Sequence, residues 1–134
     1  MNFDDYTQPL EAVMRQERSR IYSMPLKVAD RRYLFSEWCE RNPRALREIE
    51  LTALAIDARG LRVSTKYLVE KQRYEGAAKL VGVPFVDDQG DEHTYGINNS
   101  DSPLLARWLL ERHPKLNIEL RSSMFDKEGE DECE

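Results

Sequence analysis

Residues 42–76 read NPRALREIELTALAIDARGLRVSTKYLVEKQRYEG, and their reading decides the fold. Asn42-Pro43 marks a helix start: asparagine suits the N-cap, and proline suits the first helical position, where a backbone N–H has no partner anyway. The helix opened there is expected to run to about Arg59 and stop at Gly60, a residue that takes a left-handed cap without steric cost. It carries two apolar stripes, Leu46, Ile49, Ala53, Ile56 and Leu51, Leu54, Ala55, Ala58. A helix apolar on two faces is expected to be packed on both, at the centre of the fold. Ser64 or Thr65 then caps a shorter helix over about 65–75, whose apolar residues are Tyr67, Leu68, Val69 and Tyr74, with Tyr67, Leu68 and Tyr74 expected to face inward.

Upstream, a helix is expected over about 8–22, with Pro9 in its first turn and Leu10, Val13, Met14 and Ile21 on one stripe. Ser23-Met-Pro-Leu26 breaks it. A second helix follows over about 30–41, with Asp30 as N-cap and Leu34, Phe35, Trp38 and Cys39 as its apolar face. Downstream the periodicity changes. Residues 79–86 (KLVGVPFV) and 92–98 (EHTYGIN) flank the turn DDQGD at 87–91, which predicts a β-hairpin at about 79–97. Pro84 confines its strand to an edge or a bulge. Asn98-Asn-Ser-Asp-Ser-Pro103 is another restart, with Asp101 or Ser102 as cap. The helix over about 103–113 has the stripe Leu104, Leu105, Trp108, Leu109, and Pro114 ends it. Residues 116–121 (LNIELR) predict a short strand. The fold class expected is mainly α, of α+β type: a helical domain with a β-hairpin, winged helix-turn-helix-like.

A chain of 134 residues is expected to form one domain, here over 1–125. No run approaches the ~18 apolar residues of a membrane span, and the acidic start MNFDDYTQPLE has no apolar segment of the kind secretion signals carry. Cys39, in an apolar stripe, and Cys133, near the end, are poorly placed for a bridge. Reduced thiols in a cytoplasm are expected. The net charge of −5 is an average over uneven parts. Residues 126–134 hold six acids and one lysine, −5 by themselves; they read as a disordered acidic tail. Residues 31–76 carry ten Arg/Lys against seven Asp/Glu, and residues 77–99 carry Lys79 against four acids. The middle helices are therefore the basic part.

Helix, short turn with glycine, capped helix and hairpin is the order of a winged helix-turn-helix. In that reading the 65–75 helix enters the DNA major groove and the hairpin is the wing. Thr65, Lys66, Glu70 and Arg73 would share its outer face, and Arg62 and Arg59 would add positive charge from the turn. Lys and Arg donate to phosphates and to guanine edges, and an N-terminal Ser/Thr can bond phosphate. The competing reading is a solvated amphipathic helix whose mixed charges give only solubility. The tip of the hairpin, Asp87, Asp88, Asp91 and Glu92, is acidic and would be repelled by phosphate. An acidic tail also competes with DNA for a basic face, or mimics DNA toward a basic partner. The partners expected are double-stranded DNA or, alternatively, a host or phage protein bound by a non-catalytic interaction module. A second copy of the chain is a further candidate; a membrane is not.

The block Asp87-Asp-Gln-Gly-Asp-Glu-His93 fails the calcium-loop pattern, because glycine comes too early and no closing glutamate follows. It reads as a solvated turn. The two histidines, His93 and His113, and the two cysteines form no zinc spacing. His113 suits a helix C-terminus, and Cys39 beside Trp38 reads as an inert core thiol. No glycine-rich phosphate loop is present. Neither catalytic nor metal-ligating residues, nor a cofactor, are expected.

The ordered series Phe35-x-x-Trp38, Asn42-Pro43, Ala58-Arg59-Gly60, Ser64, Arg73-Tyr74-Glu75, Ile97-Asn98-Asn99, Ala106-Arg107, Pro114 and Arg121 resembles a family of small phage and prophage proteins. The resemblance covers roughly residues 35–121. It implies a phage context, and hence the cytoplasm of a bacterial host, and it carries no catalytic residue with it. Tyr74 stands where tryptophan is common, and the hairpin is longer and more acidic than usual. Among the matched residues, Asn98 and Asn99 are expected to form a turn and bond backbone groups. Arg73, Arg107 and Arg121 are expected either to bind phosphate or to bond that turn and pair with Glu75 and Glu119.

Overall fold

The computed structural model describes residues 20–118. Most of the helix expected at 8–22, Arg121, Glu119 and the acidic tail lie outside the described residues. Within them, four α-helices and one two-stranded antiparallel sheet form a mainly helical α+β arrangement. The order is α1 (Val28–Arg41), α2 (Pro43–Ala58), α3 (Thr65–Glu75), β1 (Val83–Val86), β2 (Glu92–Tyr95) and α4 (Ser102–Arg112). A 3-10 turn, Asn99–Asp101, leads into α4. None of the described helices is long and apolar enough to cross a membrane.

In α1, Leu34, Phe35 and Trp38 point into the core, as their spacing predicts. Its start differs from expectation. The N-cap position is Lys27, with no side-chain cap, and Asp30 lies buried in the first turn. Arg20 Nη1 donates to Asp30 Oδ1 at 2.6 Å. The carboxylate therefore meets an arginine and the positive end of the helix instead of capping it. Residues 20–22 are not helical: Tyr22 forms a parallel bridge with Asp87, and Tyr22 O accepts from Asp88 N at 2.7 Å. The Tyr22 and Phe85 rings meet at 4.9 Å.

Pro43 opens α2, and Gly60, at φ 75°, closes the turn after it. Asn42 occupies the N-cap position without capping. Its buried side-chain amide instead reaches across the molecule. Nδ2 donates to Trp38 O and to Val81 O, each at 2.8 Å, and Oδ1 accepts from Val81 N at 2.7 Å. One side chain thus ties the α1–α2 junction to the strand leading into the hairpin.

The expectation that α2 packs on two sides is corrected. Leu46, Ile49 and Ala53 are buried, but Leu51, Ala55 and Ala58 are exposed and Leu54 is half-buried. Two glutamates flank the buried stripe and bond the ends of the neighbouring helices, while the second stripe is left facing solvent. Glu48 accepts from Gln72 Nε2 at 2.7 Å and from Ala78 N at 2.8 Å, fixing the end of α3. Glu50 is buried and accepts from Arg47 Nη1 at 2.9 Å, Arg112 Nε at 2.7 Å and His113 Nε2 at 3.0 Å, fixing the end of α4. The Arg112 hydrogen bond does most to hold the Glu50 carboxyl down at about 2, against the cost of its burial. His113 is thus a partner of Glu50 as well as a helix end.

Ser64 caps α3, its Oγ accepting from Tyr67 N at 3.2 Å. The buried face is Leu68, Val69 and Gln72. Complete burial of Leu68 and Val69 contributes about 1.5–3 kcal/mol each. Tyr67 and Tyr74, expected inside, are exposed.

The hairpin forms around the expected turn, pairing Val83 with Tyr95 and Val86 with Glu92. Val83 and Phe85 face the core, while Pro84 and Val86 face out. Asp87 organises the turn. Its Oδ1 accepts from Gln89 N and Asp91 N, and its Oδ2 lies 2.7 Å from His93 Nε2, which holds its carboxyl below the ordinary range. Gly90 takes φ 83° there. The region after α4 runs beside the α2–α3 turn: Val63 N donates to Asn117 O, and Val63 bridges Ile118. Within the described residues, the strand expected at 116–121 amounts to that bridge.

Before α4, it is Asn98 that caps, its Oδ1 accepting from Ser100 N at 2.8 Å. Asp101 and Ser102 make no side-chain cap. Asp101 is fully buried, 3.9 Å from Arg31 Nη1, and burial raises its carboxyl while Tyr95 and Arg31 pull it back. Cys39 is half-buried, and its thiol is pushed up to about 12 by burial, in keeping with an inert core group.

Candidate nucleic-acid interface

The outer face of α3 follows from helical geometry. At 100° per residue, Arg73, Lys66, Glu70, Tyr74 and Tyr67 fall on one arc of about 120°, opposite Leu68, Gln72 and Val69. The accessibilities agree: Lys66, Tyr67, Arg73 and Tyr74 are all exposed, Tyr74 at 79%. The Arg73 guanidinium lies 5.7 Å from the centre of the Tyr74 ring. Lys66 and Arg73 stand two turns apart, about 10 Å along the axis.

Thr65 does not belong to this face. It is half-buried, on the side of Val69 and Gln72, because one residue of helix rotates it 100° from Lys66. Arg59, the C-cap residue of α2, and Arg62, in the turn, are exposed. Arg62 and the half-buried Arg107 already hold interactions of their own. Asn99 Nδ2 donates to Glu70 Oε1 at 3.3 Å, anchoring the acid of the outer face to the 3-10 turn. Glu75 pairs with Lys71 at 3.5 Å, not with Arg73. Arg73 thus takes no carboxylate partner among the described residues.

The arrangement brings Lys66 and Arg73 together with two aromatic rings that the sequence reading placed inside. It leaves Arg59 and Arg62 on the adjoining turn, and Asn98 in a capping role. Asp88, Asp91 and Glu92 remain exposed on the hairpin tip, while Asp87 is consumed within its turn. Among the described residues no group of three or more His, Cys, Asp or Glu side chains could hold a metal ion. Comparison with protein-family models, with curated proteins and with solved structures finds no match, so the reading of this face rests on its own geometry.

Proposed function

We propose that the chain is a phage-type DNA-binding protein, regulatory or recombination-accessory. Here α2, the 59–64 turn and α3 act as a winged helix-turn-helix-like unit, with the hairpin as wing. The observation that carries this reading is the outward arc of α3, where two exposed cations alternate with two exposed tyrosines on the second helix of that unit. In the major groove, Lys66 and Arg73 would meet phosphates or guanine edges two helical turns apart. Tyr67 and Tyr74 offer hydroxyl donors to phosphate and ring faces to sugars and thymine methyls. Arg59 and Arg62 would face the backbone beside the turn. The acids of the hairpin tip set the limit on this mode: the tip must stay clear of phosphate, so α3 supplies most of the contact.

A second reading, a non-catalytic module that binds a protein, draws on the exposed apolar residues Leu51 and Leu61, 50% and 49% accessible. The two readings part on one variant. Lys66→Ala with Arg73→Ala is expected to weaken duplex binding roughly 10- to 100-fold with an unchanged melting temperature, because neither side chain is buried. Fluorescence anisotropy and thermal denaturation check the two halves. Unchanged affinity would sink the duplex reading, and a lowered melting temperature would make these residues structural.

A further inference from the structure

Beside the C-terminal end of α3, the molecule has an open groove of about 430 Å³ that shares only Arg73 with the duplex reading. Its floor is the buried, apolar part of the lining, Trp38, Tyr95 and Ile97, with the half-buried Leu80 beside them. It opens where the hairpin ladder ends. The last pair is Val83 with Tyr95, so Gly82 and Gly96 stand opposite each other one step further on. A Cβ at Gly82 would press against the Thr94 methyl, which would have to turn aside. At Gly96 a Cβ would meet nothing within 4 Å, so the missing side chain is open space.

The polar groups on the rim are donors. Arg73 brings a full positive charge. Asn98 has spent its Oδ1 on Ser100 N, and its Nδ2 has no acceptor among the described residues. Thr94 adds a hydroxyl. No carboxylate lines the groove. An apolar floor below a cation and amide donors is complementary to an amphiphilic anion: a flat or aliphatic body carrying one carboxylate, sulfonate or phosphate.

We propose that this groove is a binding site for a small organic anion, with Arg73 and Asn98 holding the charged group and Gly96 giving access to the apolar floor. The proposal shares Arg73 with the duplex reading but does not depend on it, and its test contains no DNA. The full chain is titrated with 1-anilinonaphthalene-8-sulfonate and with N-phenyl-1-naphthylamine, which share a body and differ in the sulfonate. The sulfonate is expected to bind one site, more tightly than the neutral amine. Arg73→Gln is expected to weaken the sulfonate about tenfold and leave the amine unchanged. Gly96→Leu is expected to abolish both while keeping the wild-type melting curve. Should Gly96→Leu unfold the chain, the Arg73→Gln comparison decides alone. Sulfonate binding that Arg73→Gln leaves intact, or neutral binding as tight as sulfonate binding, would overturn the proposal.

Discussion

Glu50→Ala is expected to lower the melting temperature at pH 7 by roughly 7 °C. Glu50 is buried between α2 and α4 and accepts from three donors, Arg47, Arg112 and His113. The carboxylate is the buried member and its two arginine partners are more than half exposed, so its loss removes charge-assisted hydrogen bonds worth about 2–3 kcal/mol together and leaves the guanidinium groups to water. For a chain of this size each kcal/mol moves the midpoint by roughly 3 °C. The pH dependence has a definite sign. The native carboxyl is held at about 2, below its ordinary 4.5, chiefly by the Arg112 hydrogen bond. Its contribution is therefore fully present above pH 4.5 and is lost as pH falls toward 2. Thermal melts of wild type and Glu50→Gln at pH 7, 4 and 2.5 check this. The gap between them should shrink as pH falls; a gap of constant size would mean that the carboxylate charge contributes nothing.

Asn42→Ala is the second large effect, about 3 kcal/mol of destabilisation. The side chain is buried and makes three hydrogen bonds, to Trp38 O and Val81 O and from Val81 N. Each net bond contributes about 1 kcal/mol, and buried groups left unsatisfied add to the loss. Asn42→Asp should be nearly as damaging. It keeps an acceptor for Val81 N, but sets a negative charge beside two carbonyl oxygens. Hydrogen exchange localises the effect: the Val81 amide should lose protection in both variants. A cost below about 1 kcal/mol, or an unchanged Val81 amide, would show that this tie is not what holds the hairpin to the helices.

The helix boundaries and the hairpin were legible because local chemistry sets them. Pro43, Gly60, Ser64 and the 87–91 turn act within a few residues of chain, and each falls where the sequence puts it, whereas Asn42 spends its side chain on Val81 instead of capping. What sequence could not settle was which face of α2 and α3 is buried. In α3, Tyr67 and Tyr74 score as apolar and Gln72 as polar, yet Gln72 is buried because Glu48, 24 residues earlier, accepts its amide. In α2 the second apolar stripe, Leu51 to Ala58, predicts a partner that the described residues do not provide. Asp30 and Asp101 are good caps by residue type, but Arg20 and a buried site beside Tyr95 claim their carboxylates. These pairings join separate elements of the fold, and no periodicity reports them. The same holds for the candidate face. Lys66 and Arg73 were legible from spacing, whereas the tyrosines beside them, and the groove at Gly82 and Gly96, emerge only from the packing.

The central claim is that α3 meets a nucleic-acid duplex, and salt tests it most directly. Anisotropy of a labelled mixed-sequence duplex should be followed at 50 and 200 mM salt, with the full chain and with a chain ending at residue 125. With about four phosphates engaged, affinity should fall roughly a hundredfold between the two salts, and the shortened chain should bind at least as tightly as the full one. Absence of binding by both chains at 50 mM salt would contradict the claim.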